Sequence, residues 1–177
     1  MSNRTGNLVD DPMRRATSQT RPTSERIRLL QSMAAFGGLN EATLEYLLGL
    51  THVVQRRKGE YFYHEGEPAQ SMFVLESGKV AMYKRWEGRD YRIHSLERGE
   101  SFGQVALIDL GPRNTSVLAL TGSAAIELSS RHLHQLYKRY PDQYLVLYMN
   151  MARDVCRRLR AADQRAFEMR VKGADDA

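Results

Sequence analysis

The sequence predicts a mainly β protein with helices at both ends. Between residues 52 and 130, short segments rich in β-branched and aromatic residues are separated by glycines, as strands and turns are. On both sides of that region, apolar residues recur every three or four positions, which is the helical period. Roughly seven or eight short strands at this spacing are typical of a sandwich, a barrel or a jelly roll.

Composition restricts the class of protein further. The chain has 177 residues, a hydrophobic fraction of 42% and a net charge of +5. This length fits one domain with a sizeable core, and the charge is spread along the chain rather than gathered as nucleic-acid binding requires. The single Cys156 cannot form an internal disulfide, which suits a reducing compartment. No segment has the apolar length of a membrane span or a signal peptide, so we expect a cytoplasmic protein with no membrane partner.

The N-terminal part predicts an arm followed by two helices. Residues 1–24 hold few large apolar residues and no period, so we expect a disordered arm there. The domain then begins at residue 25, with its N-terminal helices over 25–50. The first helix spans 24–36 from a serine cap, and the second begins after Asn40 as its N-cap.

The C-terminal part predicts two helices over residues 130–172 and a short tail over 173–177. Pro141 suits the first position of a helix, so one helix ends before it and a long one begins. Apolar residues of the long helix step alternately by three and four, as in a coiled coil. This heptad seam predicts a homodimer through the long helix, and a helix packed back onto the β region is the alternative. The heptad seam consists of Leu145, Tyr148, Ala152, Val155, Leu159, Ala162, Ala166 and Met169.

The stretch FGQVALIDLGPRNTSV, residues 102–117, places Arg113 among small polar residues after a Gly-Pro break. An arginine is costly to bury unless it meets an anion. The apolar run has the length of one or two helical turns, and Gly103 would let a ligand approach its N-terminal amides. Helix amides and a guanidinium together suit a phosphate group. The alternative is a core helix followed by a surface arginine in a salt bridge.

This stretch resembles the phosphate-binding cassette of cyclic nucleotide-binding domains, which reads Phe-Gly-Glu, two apolar residues, Leu and, further on, Arg followed by small residues. The upstream segment KGEYFYHEGEPAQSMFVLESGKVAMYK is similar to the first strands of that family. The resemblance covers residues 25–165. It implies an eight-stranded jelly roll over 52–130, with the cassette at 102–116. It also implies a C-terminal helix that covers the pocket or forms a dimer.

The resemblance also implies roles for single residues. Arg113 would pair with the cyclic phosphate, Gly103 would contact the ribose, and Gln104 stands where an acidic residue binds the ribose 2′-hydroxyl. A charge-assisted hydrogen bond contributes about 1.5–3 kcal/mol and a neutral one about 0.5–1.5 kcal/mol, so this replacement predicts roughly tenfold weaker binding. The expected ligand-binding residues are Gly103, Gln104, Val105, Ala106, Arg113, Asn114, Thr115, Arg157 and Arg158.

Two of these assignments keep an alternative. Asn114 either bonds a guanine base through its side-chain amide or contributes only its backbone N–H, so the choice between cAMP and cGMP stays open. Arg157 and Arg158 either stack on the purine or bond its edge, or they lie in solvent on the flank of the long helix.

The sequence offers little for catalysis. His132 and His134 do not share a helical face, and no Ser-His-Asp pattern is present, so we expect no enzyme, no catalytic residue, no metal and no cofactor. No helix-turn-helix pattern follows the long helix, so we expect no DNA-binding module. The expected function is a stand-alone sensor that binds cAMP or cGMP and signals through its dimer or a protein effector. The alternative is a scaffold protein of this fold that binds no nucleotide, or a different one such as a cyclic dinucleotide.

Overall fold

The computed structural model describes residues 23–175, and almost all of the predicted arm lies outside them. Helices flank a β region that contains one short helix of its own. The helices are α1 (Thr23–Gln31), α2 (Glu41–Leu50), α3 (Val105–Ile108), α4 (Ser130–Arg139) and α5 (Pro141–Asp175). The strands are β1 (His52–Arg56), β2 (Tyr61–Tyr63), β3 (Ser71–Ser77), β4 (Val80–Trp86), β5 (Arg89–Leu96), β6 (Ser101–Phe102), β7 (Ser116–Ala119) and β8 (Ser123–Ser129). Among these helices, none combines the length and apolar character that a membrane span requires.

The strands form two four-stranded antiparallel sheets, in the orders β1-β8-β3-β6 and β2-β7-β4-β5. Neighbouring strands are mostly distant in sequence, as in a jelly roll, so the predicted eight-stranded fold is confirmed. Side chains from both sheets form one apolar core inside the roll. That core consists of Phe62, Tyr63, Phe73, Leu75, Val80, Leu96, Phe102, Val117, Ala119 and Ala125.

Strand β3 is buried on both of its faces because the helices cover the outer side of its sheet. Successive side chains of a strand point to opposite faces. Phe73 and Leu75 accordingly belong to the core of the roll, whereas Met72 and Val74 pack with the helices in a second core. Ser71 therefore lies at the start of a strand whose odd-numbered residues face the interior of the roll.

The N-terminal helices differ in part from the prediction. Instead of one helix over 24–36, α1 ends at Gln31 and a separate 3-10 helix spans Ala34–Phe36. Met33 between them has an extended backbone, which interrupts the helix and lets Phe36 enter the core. The second helix begins as predicted, because the Asn40 side chain accepts a hydrogen bond from the Thr43 N–H at 2.9 Å.

Helix α5 presents two separate stripes. Pro141 is its first residue, as predicted, and the helix continues to Asp175. Leu147 and Met151 are fully buried against the domain, whereas Leu159 and Met169 of the heptad seam are 59% and 75% exposed. We define the domain-facing stripe as the residues that continue the spacing of Leu147 and Met151 along the helix. The domain-facing stripe consists of Tyr144, Leu147, Met151, Asp154 and Arg158.

Candidate functional site

Arg113 lies inside the roll and is only 5% exposed. Two backbone hydrogen bonds fix its position: its N–H donates to the Glu67 carbonyl at 2.9 Å, and its carbonyl accepts from the Gly66 N–H at 2.8 Å. These bonds tie the segment before β7 to the turn after β2. The backbone of Arg113 is thus held from a neighbouring segment, while its side chain enters the interior.

Within the part of the chain that the structure describes, the guanidinium of Arg113 donates hydrogen bonds only to neutral groups. Its Nη1 donates to the carbonyl oxygens of Ser71 at 2.6 Å and Gly103 at 3.1 Å, and its Nη2 donates to the Ser71 hydroxyl at 3.2 Å. The guanidinium also lies over the Tyr63 ring. No carboxylate of the described residues is within ion-pair distance of it. Burial lowers the pKa of Arg113, and a buried cation of this kind favours an anionic ligand.

Residue 103 must be a glycine for two reasons. Its φ of 81° belongs to the left-handed region that glycine adopts without strain. A Cβ at this position would also lie only 2.5 Å from Nη1 of Arg113 and 3.3 Å from the Ser71 carbonyl oxygen. The absence of a side chain at residue 103 therefore makes room for the guanidinium.

Gln104 directly follows and is 2% exposed. Its Nε2 donates a hydrogen bond to Oδ2 of Asp154 on α5 at 3.1 Å. Its Oε1 is also buried, but has no hydrogen-bond donor among the described residues. A buried acceptor without a donor costs about 1–3 kcal/mol, so this oxygen is suited to a hydroxyl or amide supplied by a ligand.

Asp154 connects α5 to the β region through a second residue of the same stripe. Its Oδ2 lies 2.9 Å from Nε of Arg158, and Nη2 of Arg158 donates to the Ser101 carbonyl at 3.1 Å. We define the helix–cassette cluster as Ser101, Gln104, Asp154 and Arg158. Through this cluster, one turn of α5 is bonded to β6 and to the residue that precedes α3.

Helix α3 contributes a weaker electrostatic field to the site than the sequence suggested. Val105 and Ala106 are both part of it, with Ala106 buried and Val105 partly exposed. The helix consists of a single turn, Val105–Ile108, so its aligned peptide dipoles produce only a small field at its N-terminus. The positive charge of the site is therefore carried by Arg113.

The remaining predicted residues divide into two groups. Thr115 is buried beside the site and Arg158 joins the helix–cassette cluster. Asn114 is exposed and its carbonyl accepts from Lys84 at 3.1 Å, whereas Arg157 is exposed and lies 3.7 Å from an oxygen of Asp154. The structure thus brings Gly103, Gln104, Arg113, Thr115 and Arg158 together, and leaves the side chains of Asn114 and Arg157 at the surface.

Residues 53–140, which include the glycine, the glutamine and the arginine of this site, match the family model described as Cyclic nucleotide-binding domain. The chain carries a cyclic nucleotide-binding domain. This agrees with the resemblance of the cassette sequence and with the jelly-roll fold.

Known proteins are similar to this cyclic nucleotide-binding domain over part of their length. The cGMP-dependent protein kinase 2 of Homo sapiens is 34% identical over 107 residues, which cover 59% of this chain and 14% of the kinase. The cAMP-activated global transcriptional regulator CRP of Salmonella typhimurium is 30% identical over 115 residues, which cover 64% of this chain and 55% of the regulator. The chain therefore spans about half of the regulator and a small part of the kinase.

A solved structure shows the same fold. The crystal structure of a cyclic nucleotide-binding domain from Methylobacillus flagellatus matches with a TM-score of 0.73 and 20% sequence identity. The match covers 82% of this chain and 83% of that one. The shared fold is therefore larger than the roll alone.

Four described residues that contact the predicted ones were not predicted from the sequence. Ser101 accepts a hydrogen bond from Arg158. Tyr63 and Ser71 contact Arg113, and Asp154 contacts Gln104. Tyr63 ends the aromatic strand β2, and burial raises its pKa to about 12. Asp154 precedes Arg158 by four positions, which is the spacing of an ion pair on a helix. This spacing was the sequence signal that could have identified Asp154.

Proposed function

We propose that the domain binds cAMP or cGMP with the cyclic phosphate at Arg113, and that it acts as a non-enzymatic sensor. The observation that carries this proposal is the buried guanidinium of Arg113, which has neutral partners and no carboxylate among the described residues. A phosphate would supply the missing negative charge through charge-assisted hydrogen bonds. The relatives include a cGMP-dependent kinase and a cAMP-activated regulator, so the proposal takes either nucleotide.

The second part of the proposal concerns the sugar. Gln104 Oε1 is a buried acceptor without a donor, and it belongs to the residue next to Gly103. A ribose hydroxyl is a suitable donor for it. Of the two arginines predicted on the long helix, we propose Arg158 as the one near the ligand, because it is bonded to the Ser101 carbonyl beside the cassette.

The third part concerns the signal. We propose that α5 transmits it, because the helix–cassette cluster bonds this helix to the nucleotide site. We also propose that the heptad seam pairs two copies of the chain. Exposed Leu145, Leu159 and Met169 along one narrow stripe support a helix-to-helix contact.

Calorimetric titration with cAMP and with cGMP tests the proposed ligand. We expect the wild-type protein to bind at least one of them and Arg113→Ala to bind about 100-fold more weakly or not at all, because several charge-assisted hydrogen bonds are lost. Arg56→Ala is the matched control. Arg56 also donates to a backbone carbonyl, that of Tyr61 at 2.7 Å, and lies 5.7 Å from the Phe62 centroid, but it is not part of the site.

Two results would contradict the proposal. One is an Arg113→Ala protein that keeps its circular dichroism spectrum and binds as tightly as Arg56→Ala. The other is a folded wild-type protein that binds neither nucleotide, which would favour the scaffold alternative.

A further inference from the structure

We infer that Asp154 is a positioning residue for the nucleotide site, which fixes the Gln104 side chain as a hydrogen-bond acceptor toward the ligand. The inference rests on the proposed function and deepens it. It assigns recognition of a ligand hydroxyl to the pair Gln104 and Asp154, which lie 50 positions apart in the chain.

The orientation of the Gln104 amide follows from the chemistry of its partner. A glutamine has one oxygen that accepts and one NH₂ group that donates, and the two are nearly equal in size. A carboxylate only accepts, so Asp154 bonds the NH₂ group and excludes the reversed orientation, in which two oxygens would meet. With Nε2 bonded to Oδ2 at 3.1 Å, Oε1 is directed away from Asp154 and is left without a donor among the described residues.

Asp154 is itself held in place by its own helix and by the roll. Arg158 pairs with the same Oδ2 at 2.9 Å and is bonded to the Ser101 carbonyl. Asp154 also follows the fully buried Met151 in the domain-facing stripe of α5. The carboxylate therefore reaches Gln104 only while this turn of α5 is packed on the domain. A residue that does not touch the ligand would in this way make ligand discrimination depend on the position of α5.

The pair also explains why a glutamine suits this position. A glutamate at residue 104 would set a second carboxylate against Asp154 at hydrogen-bond distance, and the two negative charges would repel. With Asp154 in place, Gln104 presents its Oε1 to the ligand as an acceptor and uses its Nε2 for the hydrogen bond to α5. Without Asp154, the Gln104 amide could adopt either orientation.

The experiment compares the affinities for cAMP and 2′-deoxy-cAMP, or for the cGMP pair if that ligand binds, in the wild type and in Asp154→Asn. The substitution keeps the size of the side chain and lets the Gln104 amide adopt both orientations. We expect the wild type to prefer the 2′-hydroxyl compound by about tenfold, as for a neutral hydrogen bond, and Asp154→Asn to prefer it by about threefold or less. The ratio of two ligands of equal charge cancels the general effect of removing a carboxylate.

Two further variants complete the test. Asp163→Asn makes the same change at an exposed position of α5 and should discriminate like the wild type. Gln104→Glu alone should bind more weakly because of the repulsion, and the double variant Gln104→Glu with Asp154→Asn should recover both affinity and preference, since the new glutamate accepts from the new asparagine. Recovery shows that the double variant folds, and circular dichroism spectra check the folding of the two single variants.

Each outcome has a distinct meaning. If Asp154→Asn keeps the wild-type preference for the 2′-hydroxyl compound, the inference is overturned and the proposed function stands. If the wild type binds cAMP and cGMP but does not distinguish either from its 2′-deoxy form, the role of Gln104 is overturned as well. If the wild type binds no cyclic nucleotide, the proposed function fails, and this inference fails with it.

Discussion

The guanidinium carbon of Arg113 lies 4.0 Å from the centroid of the Tyr63 ring. The ring covers one face of the guanidinium, while the carbonyls of Ser71 and Gly103 accept from its Nη1. Cation–π contacts in desolvated sites are worth up to about 2 kcal/mol. Arg113 is thus positioned by neutral groups, so its geometry does not depend on a counter-ion, and little ordering of this side chain is required when an anion binds.

Tyr63 should make the domain less stable as the pH rises into the alkaline range. Burial raises its pKa from 10.0 to about 12. The folded chain therefore keeps the phenol proton where the unfolded chain releases it, so the free energy of unfolding falls as pH rises through this range. One proton contributes a slope of up to about 1.4 kcal/mol per pH unit, and Tyr63→Phe should lack it. Urea unfolding at about pH 8 and about pH 11 measures the difference; equal pH dependence of the two proteins would refute the assignment.

Gly103→Ala should weaken nucleotide binding by displacing Arg113. The new Cβ would lie 2.5 Å from Nη1, so the guanidinium must move away from its present position. Gly59→Ala is the matched control, because Gly59 has a similar φ of 88° but no atom of residues 23–175 beyond its chain neighbours within 4 Å of its Cβ position. Both variants should lose about 1 kcal/mol of stability through backbone strain, and only Gly103→Ala should lose affinity by more than about tenfold in calorimetry. Equal affinities in the two variants would contradict this account.

Arg26 and Glu76 form an ion pair that ties α1 to β3. Nε and Nη2 of Arg26 donate to the two carboxylate oxygens at 2.5 and 3.1 Å, and Glu76 is only 3% exposed. Arg26→Met should destabilise the domain by about 3–5 kcal/mol, because it leaves a buried charge without a partner. The double variant with Glu76→Gln should cost much less than the sum of the single variants. A urea-unfolding cycle in which the two effects add to within about 0.5 kcal/mol would mean that the residues do not interact.

The heptad seam should pair two copies of α5. Leu159→Glu with Met169→Glu should give a monomer in sedimentation velocity, because carboxylates in an apolar helix interface are strongly unfavourable. Both residues are exposed in the single chain, so the fold itself should be unaffected. Ala161→Glu with Val171→Glu adds the same charges at exposed positions outside the seam and should remain a dimer. A wild-type protein that sediments as a monomer, with and without nucleotide, would rule the dimer out.

Features set by neighbouring residues were predictable from the sequence. Asn40 caps α2 through a bond to an amide three residues away, and Pro141 begins α5 because its ring suits the first turn. The strands were visible from their glycine spacing. The break between α1 and the 3-10 helix was not visible, because it depends on how Phe36 is buried in a core formed by distant segments.

Apart from Arg158 on α5, the site was predictable only where one short segment carries it. Gly103, Gln104 and Arg113 lie within one motif, whereas Ser71 and Asp154 meet it from 42 and 50 positions away. No local period indicates such contacts. On α5, the apolar pattern indicated the heptad seam. The charged contact to the cassette is made by Asp154 and Arg158, which lie on the neighbouring, domain-facing stripe.

The central claim, that Arg113 holds the phosphate of a cyclic nucleotide, is tested most directly by NMR of the arginine side chains. The Nε–Hε signal of Arg113 is identified by its loss in Arg113→Lys and is followed while cAMP or cGMP is added to the wild type. We expect this signal to move until the site is saturated, since the guanidinium gains charge-assisted hydrogen bonds, while the signal of Arg56 stays in place. A protein saturated with nucleotide in which the Arg113 signal does not move would contradict the claim.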